Sequence, residues 1–394
     1  MTKKSDRDLK PATRLVTGGR DPQAQFGFVN PPVYHASTVL YPTAEDQVAH
    51  RARYVYGRRG TPTSEALEAA LMELEGPLCA GVSLLPSGAA AISSALLAIA
   101  NAGDHILISD SVYRPTRTFC DSVLKRLGVE TTYYDPLIGA RIAGLFKPNT
   151  RLVFVEAPGS QSFEMQDIPA IAEVAHEKNT LVLMDNTWAT PLYFRAFEKG
   201  VDVSIQAGTK YIGGHSDIMF GTVSANAATL PRLKTLVGNF GLCAGPDDIY
   251  LALRGLRTLE VRLARHQQSA FAVARFLAAR PEVLRVLHPG LENDPGHAIW
   301  KRDFSGSSGL FSIVLKPMDM KAVYAFMNAL TLFGMGYSWG GFESLIISFD
   351  CNDYRTATKW APGGPTLRIH IGLEDVGDLI ADLEGGFAAM KAVS

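Results

Sequence analysis

The chain has 394 residues, 47% hydrophobic and 20% charged, a globular composition that argues against disorder, collagen and coiled coil. Lysine and arginine number 38 against 39 aspartate and glutamate, a net charge of -1, so no bulk positive field gathers nucleic acid or anionic lipid. Four cysteines, Cys79, Cys120, Cys243 and Cys351, lie far apart with no C-x-x-C, which argues against a disulfide scaffold and a cysteine zinc site and favours a reducing compartment.

In chain order, residues 1–10 are too polar for a signal peptide, and the first sixty, rich in Pro, Tyr, Arg and Gly, read as an arm without its own core. From about 80 to 225 short strand-like runs alternate with helical spacing. Strands are expected at 105–109, 129–134, 152–156, 181–185 and 201–205, with helices at 89–101, 115–127 and 168–178. Leu152-Val-Phe-Val155 and Leu181-Val-Leu-Met184 are apolar on both faces, the pattern of a mostly parallel sheet covered by helices on two sides. The tract 89–100 is too short to span a bilayer, so the chain reads as a soluble cytoplasmic α/β protein. A long helix is expected over 256–279, then strands at 309–315, 345–349 and 367–371 and a terminal helix over 374–392. The division is an arm at 1–60, a large domain at 61–255 and a smaller C-terminal α/β domain at 256–394.

Several chemistries lack their motifs: there is no G-x-G-x-x-G, no P-loop and no G-x-S-x-G. His176-Glu177 begins like a zinc-protease motif, but Thr180 stands at the second histidine, and no metal site is expected. Asp185 ends a predicted parallel strand, where α/β sheets open their ligand crevice, although a strand-end Asp also caps turns. Lys210 sits among small residues in Ala207-Gly-Thr-Lys-Tyr-Ile-Gly-Gly214. A lone lysine is ordinarily a surface group, but with an upstream Asp it fits a Schiff-base lysine and an acid for a pyridinium nitrogen. Ser87-Gly88-Ala89 opens a helix whose free N–H groups suit a phosphate, or is simply a capped helix start. Thr209 adds a hydroxyl, and Tyr113 an aromatic face for a ring or for packing. In the arm, Tyr56-Gly-Arg58 is either a solvated loop or a phosphate clamp. Thr366, Arg368 and His370 share one face of the last strand, where Arg368 is either exposed or the anchor of a substrate carboxylate.

The run from Asp202 to Ser216, together with Tyr56-Gly-Arg58, Ser87-Gly88, Tyr113, Asp185-Asn-Thr-Trp188, Ser338 to Leu345 and Arg368 in this order, resembles the Cys/Met-metabolism pyridoxal-phosphate enzymes. Those enzymes have the aspartate-aminotransferase fold type I, with a large mostly parallel sheet domain and a smaller C-terminal α/β domain. Trp300 to Leu310 and Tyr337-Ser-Trp339-Gly-Gly are most similar to the bacterial cystathionine β-lyase branch; γ-acting relatives usually carry Leu at the position of Trp339. Two departures stand out: Gly60-Thr-Pro-Thr63 replaces the common Asn-Pro-Thr, and Ala207 replaces a Ser that many members direct at the phosphate.

The resemblance implies pyridoxal 5'-phosphate on Lys210, with Asp185 at its pyridine nitrogen and Tyr113 stacked on its ring. It implies Gly88, Ala89 and Thr209 at the phosphate, with Tyr56 and Arg58 from a neighbouring subunit of a homotetramer. Arg368 is then the carboxylate anchor, with Ser338 and Trp339 lining that pocket. The implied reaction is β-elimination of L-cystathionine to L-homocysteine, pyruvate and ammonia, as in methionine biosynthesis, with Lys210 moving protons and cysteine desulfhydration as a side activity. The alternatives are γ-synthase or γ-lyase chemistry, or a regulatory protein on the same fold.

Overall fold

The computed structural model describes residues 9–393, so the polar start, apart from Leu9 and Lys10, lies outside the described residues. Seven strands form the first sheet: β1 Gly81–Leu85, β2 His105–Ser109, β3 Glu130–Tyr134, β4 Thr150–Glu156, β5 Leu181–Asp185, β6 Val203–Gln206 and β7 Gly221–Ala225. Their order across the sheet is β1-β7-β6-β5-β4-β2-β3. β2 through β6 pair in parallel, and β7 runs antiparallel between β6 and β1. The two-sided apolar runs do what their pattern requires. Leu152, Phe154 and Leu183 pack with the helix Gly88–Ile99 on one face. Val153, Val155, Val182 and Met184 pack with the helix Ile168–Glu177 on the other. Each such side chain, fully withdrawn from water, stabilises the sheet by about 1.5–3 kcal/mol.

Some boundaries differ from expectation. The strand expected at 201–205 starts at Val203, because Asp202 turns its carboxylate back to accept the Val182 N–H at 2.8 Å. The helix expected over 256–279 runs as Leu259–Ala278, and a separate helix, Pro246–Leu256, precedes it. The break falls at Thr258, whose φ of -110° and ψ of 9° depart from the helical path, while the neighbouring Arg257 side chain donates to Leu15 O at 2.8 Å and Gly18 O at 2.7 Å. The helix expected over 115–127 runs as Arg114–Phe119 and continues as a wider π turn, Cys120–Leu124.

The second sheet has four strands, β8 Val283–Leu287, β9 Leu310–Leu315, β10 Leu345–Phe349 and β11 Thr366–His370, ordered β10-β11-β9-β8 and antiparallel throughout. Phe311, Ile313, Ile346, Leu367 and Ile369 bury one face beneath the helices Met320–Ala329 and Val376–Ala392. The two sheets meet through Trp188, whose indole N–H donates to Leu310 O at 2.9 Å. No helix among the described residues is long and apolar enough to cross a membrane.

Candidate active site

Parallel strands direct their carboxyl ends to one edge, and the ends of β2, β4, β5 and β6 are neighbours there. Tyr113 follows β2, Glu156 ends β4, Asp185 ends β5, and Lys210 lies four residues beyond β6. Glu156 and Asp185 stand opposite each other in the β4–β5 register. The sheet therefore gathers two carboxylates, a phenol and an amine from residues up to about a hundred positions apart.

Asp185 is oriented by its own turn. Its Oδ1 accepts the Thr187 N–H at 3.0 Å and the Thr187 hydroxyl at 2.5 Å, while Oδ2 has no partner among the described residues. Thr187 Oγ1 in turn accepts the Ala207 N–H at 2.9 Å, which joins the Asp185 turn to the strand leading into Lys210. Burial raises the Asp185 carboxyl above its ordinary value, tempered by the two Thr187 donors and by Lys210. Glu156 accepts the Tyr113 N–H at 2.7 Å. Burial and then Asp185 push its carboxyl well above the ordinary range.

Lys210 donates from Nζ to Ser338 Oγ at 2.7 Å, and the nitrogen lies 5.5 Å from the centre of the Trp339 ring. Burial, then Arg368, lowers its ammonium to about 8, with Asp185 acting in the opposite sense. An amine so placed releases its proton near neutrality, which a solvated lysine does not. Arg368, on β11, is buried rather than exposed; it donates to Tyr337 O at 3.1 Å and Ser338 O at 3.0 Å. Burial lowers its guanidinium to about 10, and Tyr113 partly restores it. Tyr113 itself, half exposed in the cleft, is raised by burial and by the two carboxylates.

At the start of the helix Gly88–Ile99, Ser87 Oγ accepts the Ala90 N–H at 3.1 Å, and Ala91 begins the helical ladder by donating to Ser87 O at 3.0 Å. The N–H groups of Gly88 and Ala89 are left for an anion. The cradle is tight: a Cβ on Gly88 would come within 2.6 Å of the Ala207 Cβ, and one on Gly221 within 2.2 Å of Ser87 O. Small residues at 88, 207 and 221 thus keep the helix start against β6 and β7. The Thr209 hydroxyl is engaged with Phe220, accepting its N–H at 2.9 Å and donating to its carbonyl at 3.1 Å, so one lone pair remains for a ligand.

Lys210, Asp185, Tyr113, Arg368, Ser338 and Trp339 are thus linked by contact or by mutual electrostatics. Tyr56 and Arg58 are not part of this group within one chain. They line a separate cavity of about 740 Å³ with Ser37, Lys234 and Gly238, and Arg58 donates to Gly238 O at 2.7 Å. Sequence reasoning missed Glu156 and Thr187. The rule that singled out Asp185, a carboxylate at the carboxyl end of a parallel strand, applies equally to Glu156.

Residues 12–388 match the Cys/Met metabolism PLP-dependent enzyme family. A protein of Rhizobium johnstonii is 56% identical over 97% of this chain and 96% of its own. The cystathionine beta-lyase of Salmonella typhimurium is 46% identical over 97% of this chain and 99% of its own. The crystal structure of cystathionine gamma synthase from Xanthomonas oryzae pv. oryzae in complex with aminoacrylate and cysteine superposes with a TM-score of 0.90 at 30% identity, over 98% of this chain and 100% of that one.

Proposed function

The chain belongs to the Cys/Met metabolism PLP-dependent enzymes, and from that premise we propose that it is a carbon–sulfur lyase acting on L-cystathionine, which it cleaves with water to L-homocysteine, pyruvate and ammonia. The single observation that carries the reading is the pairing of Lys210 and Asp185 at adjacent strand ends, with a buried arginine facing the same amine. The preference for cleavage at Cβ over Cγ rests on Trp339 beside Lys210 and on the 46% identity to a cystathionine beta-lyase, against 37% to a γ-synthase in the same comparison.

The residues fit pyridoxal phosphate. Oδ2 of Asp185 is free for a cationic ring nitrogen, Gly88 and Ala89 offer N–H groups to a phosphate, and Lys210 offers the amine. When bound, the cofactor supplies the electron sink that stabilises negative charge at the substrate Cα. Arg368 takes the substrate carboxylate through a guanidinium already oriented by the carbonyls of Tyr337 and Ser338. Lys210, lowered to about 8, removes the Cα proton as its neutral amine and returns a proton to the departing sulfur. Ser338 holds Nζ in place between these transfers. Thr187 donates twice to Asp185 and orients it, while Glu156 fixes the Tyr113 backbone.

The same reading takes the chain as a homo-oligomer, in keeping with a tetramer of catalytic dimers, in which Tyr56 and Arg58 reach a neighbouring subunit's phosphate. The arm supports this, since Phe26 is 95% exposed and Leu40 86% exposed on one chain. Four free thiols among the described residues support the cytoplasm as its location. The test is product identification on L-cystathionine with added pyridoxal phosphate. Pyruvate with homocysteine is the expected pair, and 2-oxobutyrate with cysteine would overturn the choice of Cβ.

A further inference from the structure

β11 turns alternate side chains toward the active site, and the residue two beyond Arg368 on that face is His370, fully buried. Its Nε2 accepts the Gly340 N–H at 3.1 Å and lies 3.2 Å from Gly341 O. Gly340 lies close against the backbone of the catalytic lysine. Its φ is +85°, and a Cβ there would stand 3.0 Å from the Lys210 Cα, carbonyl carbon and Cβ at once. Two residues earlier, Ser338 receives the Lys210 amine, and Trp339 lies alongside it. The turn 337–341 is therefore held to one strand at two points, by Arg368 at its start and by His370 near its end, and rests on Lys210 between them.

Accepting on Nε2 places the His370 proton on Nδ1. The neighbouring His266, ring centres 5.3 Å apart, donates from Nδ1 to Ile371 O at 2.7 Å and so carries a lone pair on Nε2. His370 Nδ1 and His266 Nε2 are both buried and make no hydrogen bond, to each other or to another group.

We infer that His370 is a positioning residue of the active site: its imidazole seats Gly340 on Lys210 and so sets where the Ser338 hydroxyl and the Trp339 ring stand relative to the lysine amine. The inference rests on the function proposed for this site. Without the imidazole the turn keeps its anchor at Arg368 but loses the one beside Lys210. A displacement on the order of 1 Å there lowers turnover by about 10²-fold.

The test compares the cofactor-loaded wild type with His370→Ser, Gly340→Ala, the double variant and His370→Gln, whose side-chain carbonyl can accept the same N–H. Three quantities are read: cofactor content, the visible circular dichroism of the lysine-bound cofactor, and kcat with KM for pyruvate release. His370→Ser and Gly340→Ala are each expected to keep the cofactor, alter its dichroism and lower kcat by about 10–100-fold. The double variant is expected to lose less than the product of the two single losses, because both changes displace the same turn. His370→Gln should recover most of the loss. Unchanged dichroism and kcat in His370→Ser, losses that multiply in the double variant, or equal losses in the Ser and Gln variants would each overturn the inference. If His370→Ser fails to load cofactor, the Gln variant decides: near-wild-type dichroism supports positioning, and the same failure refutes it. A wild type that releases no pyruvate refutes the proposed function instead, and the dichroism comparison still decides the role of His370.

Discussion

Replacing Asp110 with Asn should loosen the hold of the second sheet on the first beneath Tyr113. Asp110 follows β2, three residues before Tyr113, and its side chain is fully buried. Its carboxylate receives the Arg117 guanidinium, Arg355 Nε at 3.3 Å, the N–H groups of Thr356 at 3.0 Å and Thr358 at 2.9 Å, and the Thr358 hydroxyl at 2.9 Å. Arg355 continues to Glu164 through bonds of 2.9 and 3.1 Å. Residues 355–358 join β10 to β11, so the loop that leads into Arg368 is wrapped around one carboxylate at the edge of the first sheet. Burial alone would raise that carboxyl, but the amides of Thr356, Thr358 and Ala357 with the Thr358 hydroxyl hold it below its ordinary value. Asp110→Asn keeps the shape and removes the charge, turns one acceptor into a donor facing donors, and leaves buried Arg117 without a carboxylate. Breaking a buried pair in this way costs about 3–5 kcal/mol. Urea unfolding of the cofactor-loaded protein at neutral pH measures it, and KM for L-cystathionine should rise by roughly tenfold as Tyr113 and Arg368 lose their common support. A loss below about 1 kcal/mol would mean that the network behaves like an exposed ion pair, and the reasoning would be wrong.

Three further outcomes are expected. Glu75 is buried beside Ser204 and Ser224, and burial raises its carboxyl from 4.5 to about 7 although both hydroxyls oppose the rise. Its folded form favours the proton, so stability is complete below about pH 4.5 and declines as pH climbs to 7, by about 3 kcal/mol at 1.36 kcal/mol per tenfold change. Glu75→Gln should therefore outlast wild type at pH 8 and not at pH 4.5, roughly by that amount; a difference that does not vary with pH would count against it. Thr187→Val removes the hydroxyl donor from Asp185 and the acceptor of the Ala207 N–H, and leaves the backbone donor in place. Cofactor affinity should fall by about 10–100-fold and the acid limb of the pH–kcat profile should move upward, whereas an unmoved limb would refute the orienting role. Arg368→Lys gives up the planar fork and should raise KM by about tenfold or more with a smaller effect on kcat, an expectation that an unchanged KM would remove.

What could be read in the sequence follows what a short window can hold. β4 and β5 announce themselves because both faces are apolar over a continuous run, and the end of β5 delivers Asp185. β1 and β7 escaped notice. Gly221-Thr-Val-Ser-Ala225 is buried along its whole length, yet small and hydroxyl-bearing, so its burial depends on neighbours rather than on its own hydropathy. β8 was missed for the opposite reason, since Leu284 and Arg285 between its buried ends face solvent. Lys210 and Asp185 stood out by residue type and spacing. Glu156, Thr187 and His370 did not, because each acts through a backbone group brought near by another strand or turn: the Tyr113 amide, the Ala207 amide and the Gly340 amide. The sequence pattern alone allows Arg368 either exposure or anchoring, and the turn 337–341 folding over it decides for burial.

The central claim is that Lys210 carries the cofactor and moves the protons. Borohydride reduction of the loaded protein, followed by peptide mapping, tests it most directly. The account predicts a phosphopyridoxyl group on Lys210 in the wild type, and in Lys210→Ala neither that label nor pyruvate release above background. A label on another lysine, or a Lys210→Ala protein that still releases pyruvate at the wild-type rate, would contradict it.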